Sequence, residues 1–125
     1  MPRVSLSLPD GTVLASRALT ADSMLSRMKG LLGRVRLHTD EALILPRCNS
    51  VHTCGMRCVI DVVFVDRAWR IVRLVPQMGP WRMSPWIFRA WAVIELAAGS
   101  IQRAGLSVGQ QLRVVGLDPT REIWA

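Results

Sequence analysis

The 125-residue chain is 50% hydrophobic and carries a formal net charge of +7. That length supports one ordinary domain whose core needs no structural metal, and the composition excludes a chain disordered over most of its length. The charge comes from arginines scattered singly among apolar residues, with no Lys/Arg block, zinc-finger spacing, RNA-binding aromatic signature or glycine-rich phosphate loop, so nucleic-acid binding is not expected.

Val4, Leu6 and Leu8 alternate with Ser5 and Ser7, as in a half-buried strand. Asp10-Gly11 is a tight-turn signal, and Val13-Leu14-Ala15 returns beside the first strand as a hairpin. The period then changes. Thr20 is suited to cap a helix, Leu19 and Met24 stand at staple positions, and Met24, Met28 and Leu31 form an apolar stripe. The spacing predicts a helix from Thr20 to Leu32, stopped by Gly33. Ala42 to Leu45 reads as a short buried strand ended by Pro46, and Val59 to Val65 is the strongest strand signal. A turn at Asp66 to Trp69 leads into an antiparallel partner from Arg70 to Val75. Pro76, Gly79, Pro80 and Pro85 then break the order, predicting a long loop before strand character resumes at Trp91 to Leu96. A short helical turn from Ser100 to Ala104, closed by Gly105, precedes a last strand at Gln111 to Val115.

These elements predict an α+β, β-rich domain: a strongly bent or partly closed sheet or barrel, with one principal helix near the N-terminus. Residues 1–116 form a single compact β-rich domain in this reading, and 117–125 a peripheral C-terminal tail. No apolar run reaches about 18 residues, and no apolar leader follows Met1-Pro2-Arg3, so neither a transmembrane segment nor a classical signal peptide is expected. Three cysteines cannot all pair within one chain, and the reading is of reduced thiols in the cytoplasm.

Chemistry-bearing residues concentrate between Cys48 and Asp61, which hold all three cysteines and His52. Cys48, His52, Cys54 and Cys58 form a Cys-x3-His-x-Cys-x3-Cys pattern of soft ligands suited to zinc, or to copper with Met56. Paired Cys-x2-Cys knuckles are missing, so no cofactor is predicted and zinc or copper binding stays as an alternative. A second alternative is a small hydrolase or thiol-dependent enzyme, using His52 with Cys48 or Cys54 and Asp61 to orient the imidazole. Asp61 and Glu95 stand in apolar strands and need partners, for which Arg57, Arg82 and His52 are the natural candidates, or else, for Asp61, backbone N–H groups.

The loop from Met78 to Arg89 carries Trp81, Trp86, Arg82 and Arg89. It reads as a lid over the core or as aromatic anchors for a partner protein. Contact with an anionic membrane surface is a further reading, without a clean amphipathic helix to support it. The expectation is therefore a non-catalytic binding or accessory module for a small molecule or protein partner. Its site lies around residues 48–61 and the loop 78–89, with Ser50, His52, Met56, Arg57, Asp61, Trp81, Arg82 and Glu95 as binding residues.

The runs Arg27 to Arg34, Ser50 to Arg57, Ile60-Asp61, Pro80-Trp81-Arg82, Val93 to Gly99 and Gly105 to Gln110 resemble, in this order, the family known as domain of unknown function 192. The resemblance covers about residues 4 to 115. It implies a small, mainly β domain with a helix near the N-terminus, an unassigned biochemical function, and no catalytic residues to carry over. Some family members carry export signals or membrane anchors. The family commonly has an aromatic at the position of Cys54, and an aromatic followed by proline at Cys58 and Val59. Cys48, Ser50, His52, Met56, Arg57 and Asp61 follow its pattern.

Overall fold

The structure is a computed structural model that describes residues 3–20, 37–53 and 57–116. The expected helix residues after Thr20, together with Cys54, Met56 and the 117–125 tail, lie outside the described residues.

Seven strands form a mixed sheet: β1 (Arg3–Ser7), β2 (Val13–Thr20), β3 (Glu41–Pro46), β4 (Ile60–Val65), β5 (Ile71–Met78), β6 (Ala92–Ala97) and β7 (Arg113–Gly116). Their order is β5-β4-β6-β3-β2-β1-β7. The β1–β2 hairpin follows from its turn: Gly11 adopts φ 96°, and the Asp10 carboxylate accepts the Thr12 N–H at 2.8 Å. The β4–β5 turn uses the same device, with Asp66 Oδ1 accepting the N–H groups of Ala68 and Arg70 at 2.9 and 3.0 Å. β2 and β3 are parallel, and the other paired strands are antiparallel.

Two expectations are corrected. The ladder is linear, with β5 and β7 at its edges, so the sheet is open instead of strongly bent, partly closed or a barrel. A closed sheet follows only if strands alone must cover both sides of the core. Other segments do that work. On one face Val63, Val65, Ile94, Leu96 and Ile44 pack with Leu106 and Leu112, and with Ile101 and Ala104 of α1 (Ser100–Ala104). On the other face Val62, Phe64, Val93, Leu43 and Leu45 pack with Val51, Cys58, Ile87 and Ala90 from the loops. β4 and β6, covered on both faces, are buried along their whole length.

The second correction concerns the principal helix expected near the N-terminus: beyond Thr20 it falls on residues outside those described, and Thr20 itself lies in a strand. The one helix among the described residues is α1, late in the chain. Thr20, the expected cap, is the last residue of β2 and pairs with Ile44. The strand alternation continues through Ala18 to Thr20, both buried. α1 ends as its sequence predicts, with Gly105 in the left-handed conformation at φ 63°.

Candidate functional site

Two irregular segments meet beyond the ends of β3 and β5. After Pro46 the chain turns through Arg47, whose φ is 58°, and runs out as 48–53. The segment from Gly79 to Ala90 returns antiparallel to it. Backbone N–H groups of Ile87, Ser84 and Thr53 donate to the carbonyls of Asn49, Val51 and Arg82 at 2.8 Å each. His52 sits opposite Met83 in an isolated bridge. Side chains complete the joint. The buried Thr53 hydroxyl donates to the Gly79 carbonyl at 2.6 Å and accepts the Arg82 N–H at 2.8 Å, while Ser84 Oγ accepts the Val51 N–H at 2.8 Å. The two regions picked out by residue type are therefore neighbours. Thr53 and Ser84, which join them, were missed; a hydroxyl facing a broken loop was their only sequence signal.

Tryptophan is used in two ways. Trp69 has φ 62°, a costly conformation for a bulky residue, but it is buried and meets Trp91 edge-to-face at 5.9 Å. Arg67 stacks on the other Trp of that pair, 5.9 Å from the Trp91 ring. Trp81 has φ 59°, yet its side chain is 71% exposed. Met83, Trp86 and Phe88 are 76%, 67% and 91% exposed. Among the described residues these are four of the eight exposed large apolar side chains, and the other four are all valines. Trp81, Met83, Trp86 and Phe88 thus form an exposed apolar tip within one short segment.

The carboxylates have different surroundings. Between the pairs Ile60–Met78 and Val62–Val75, β5 inserts an extra residue as Pro76 and Gln77 pass Asp61. Asp61 is fully buried. One of its oxygens accepts the Gln77 N–H and the other the Ile101 N–H in the first turn of α1, both at 2.8 Å. It makes no bond to Arg57, Arg82 or His52. Glu95 is equally buried but lies opposite Val62 and Leu43, so it projects from the other face of the sheet. The two carboxylates are not a pair. The Arg57 and Arg82 side chains are exposed, and Ser50 and His52 are half-buried.

Cys58 is buried in the core that contains Val51, and Cys48 packs against the same core with its N–H donating to the Trp91 carbonyl at 3.0 Å. Among the described residues no three His, Cys, Asp or Glu side chains gather as a metal would require. Those residues also include no helix long and apolar enough to cross a membrane.

A hollow of about 460 Å³ lies elsewhere, lined by Arg17, Leu37, His38, Asp40, Val59 and Ala97 among others. At its rim the Arg17 guanidinium donates twice to Asp40, at 2.7 and 3.2 Å, and this bond holds the Asp40 carboxyl below the usual carboxylate range. Scattered single residues gave no sequence signal for this hollow.

A structure of a protein of unknown function from Novosphingobium aromaticivorans superposes with a TM-score of 0.72 at 22% identity, covering 89% of this chain and 83% of that one. A structure described as a putative transcription regulator from Sinorhizobium meliloti superposes with a TM-score of 0.73 at 23% identity, covering 93% and 95%. At those identities the likeness shows a shared fold. No curated protein matches the chain. The family model DUF192, described as "Uncharacterized ACR", matches residues 7–114, and over that span runs the same ordered set of motifs that ends on the Gly105 to Gln110 turn: the chain belongs to the DUF192 family.

Proposed function

We propose that this domain is a non-catalytic binding or accessory module whose contact surface is the 79–90 segment clamped onto residues 49–53. The conformation of Trp81 carries this reading. A non-glycine residue held in the left-handed region costs about 1–3 kcal/mol. At Trp69 burial offsets such a cost, whereas Trp81 is left in solvent. The left-handed backbone there brings the Trp81 N–H to the Thr53 carbonyl, much as the exposed Arg47 turns its own loop, but the indole is left in solvent, and contact with a partner gives it a use.

The shape narrows the kind of partner. Small-molecule sites are concave and enclose most of their ligand. Trp81, Met83, Trp86 and Phe88 instead stand largely in solvent, so the tip suits a partner broad enough to cover it, with Arg82 and Arg89 beside the apolar contacts. In this reading Ser50, His52 and Arg57 flank the surface, while Asp61 and Glu95 support it from inside the sheet. Of the two thiols in the enzyme reading, Cys48 packs against a core, which favours the binding reading, while Cys54 lies outside the described residues. A cytoplasmic location belongs to the same reading, since reduced cysteines are stable there.

Trp81→Gly tests it. Glycine relieves the left-handed strain, so the variant should match or exceed the parent stability in urea denaturation, by up to about 1 kcal/mol. A loss of about 2 kcal/mol or more would show the indole to be part of the core and would end the proposal.

A further inference from the structure

Resting on that reading of the tip, we infer that the partner covering it is an anionic lipid surface. Three observations converge. The first is composition: residues 81–88 carry two tryptophans, a phenylalanine and a methionine, all exposed, the amphipathic rings and flexible apolar groups that sit at the level of lipid headgroups. The second is charge. Residues 47–60 and 78–91 contain no Asp or Glu, whereas Arg47, Arg57, Arg82 and Arg89 are all exposed. Asp61, the next acid along, is buried with both oxygens hydrogen-bonded to backbone. These arginines complement a negative headgroup layer.

The third observation favours lipid over a protein partner. Backbone pressed against a lipid surface loses water and meets no complementary backbone there, so its polar groups are best bonded beforehand. Across residues 80–87, Pro80 and Pro85 have no N–H, and the N–H groups of Trp81, Arg82, Ser84 and Ile87 are bonded to Thr53, Val51 and Asn49. The loop thus presents apolar side chains with most of its amide donors already satisfied. A protein partner could supply the missing hydrogen bonds itself and gains nothing from this arrangement. Trp81, Trp86 and Phe88 enter the headgroup region, and the arginines remain among the phosphates.

The test uses the purified full chain, without an affinity tag, and vesicles of phosphatidylcholine alone or mixed equally with phosphatidylglycerol. Sedimentation with the mixed vesicles only is expected, together with quenching of tryptophan emission by brominated acyl chains. Replacing Trp81, Trp86 and Phe88 by serine should abolish quenching and weaken binding about tenfold or more. Arg82→Gln with Arg89→Gln should weaken it to a similar extent. Arg3→Gln with Arg113→Gln, the same charge change on β1 and β7, should leave binding within about twofold. Trp86→Ser alone, free of the backbone strain at Trp81, should halve the quenching even where the triple variant does not fold. The inference fails if no vesicle binds, or if the aromatic variants bind as well as the parent, which would be charge attraction alone. It also fails if a protein covers the loop and vesicles do not. Those results with a stable Trp81→Gly variant remove only the lipid; a destabilised Trp81→Gly removes the contact surface itself.

Discussion

At the scale of single residues, Asp61 shows why a strong sequence signal can mislead about role. A carboxylate at the start of an apolar strand needs partners, and that need is legible in the sequence. Backbone N–H groups are among the partners it admits, but which ones is not legible, because Gln77 and Ile101 lie 16 and 40 positions away. Asp61 thereby fixes the irregularity in β5 and the first turn of α1 at once. Asp61→Ala should cost about 3 kcal/mol in urea denaturation, since two buried N–H groups lose their acceptor. A cost below about 0.5 kcal/mol would mean that water or backbone movement replaces the carboxylate. Asp40 is the exposed contrast. Its hydrogen bond from Arg17 lowers its pKa, so the native state favours the ionised form. That contribution is present at neutral pH and is lost as pH falls below the ordinary carboxylate range. Because the pair is open to solvent, the effect is screened and small. Asp40→Asn should therefore narrow the difference in melting temperature between pH 7 and pH 3 and leave the pH 3 value nearly unchanged. An unaltered difference would show the ion pair to be inert.

At the scale of elements, the short strands were legible because alternation and turn chemistry agree, as at Val4 to Leu6 and Asp10-Gly11. Boundaries shifted where a tertiary neighbour decided them. β5 continues to Met78 through Pro76, which an edge strand tolerates because an N–H facing away from the sheet is dispensable. β2 continues to Thr20 because β3 pairs with it. The union of the 49–53 and 79–90 segments was legible as two regions rich in chemistry, but its joint was not, since hydroxyl-to-backbone bonds leave no periodic trace. Thr53→Val tests that joint. The change keeps the side-chain shape and leaves the Arg82 N–H and the Gly79 carbonyl without their buried partner. A loss of about 1–3 kcal/mol is expected. Hydrogen exchange should accelerate most at Trp81, Arg82 and Ser84, while the amides of β4 and β6 remain protected. Uniform acceleration over the whole sheet would show the loop to be one cooperative unit with the core.

At the scale of the molecule, the apolar content of Val62 to Val65 and Val93 to Leu96 signalled buried strands, and the uncertainty lay in what buries them. Continuous apolar runs are compatible with a closed sheet or with an open sheet covered on both faces. The cover comes from loop residues such as Val51, Ile87 and Leu106, whose isolated positions have no period, so sequence pattern alone could not choose. The open arrangement has a mechanical consequence. Both cores are attached to the same central strands, so neither can melt without exposing the back of the other. Ile44 lies in one core and Val62 in the other, both fully buried. Ile44→Val should cost about 0.5–1.5 kcal/mol, and Val62→Ala about 2 kcal/mol. Each variant should nonetheless unfold in a single transition, with near-ultraviolet signals from the Trp69–Trp91 pair and far-ultraviolet signals from the sheet coinciding. If Val62→Ala separates the two signals, the face holding Trp69 survives alone, and the sheet is two weakly coupled layers. Coincident curves for both variants mean that the central strands transmit a defect on either face to the whole fold. The exposed tip at Trp81 is then carried on a scaffold that opens only as a unit.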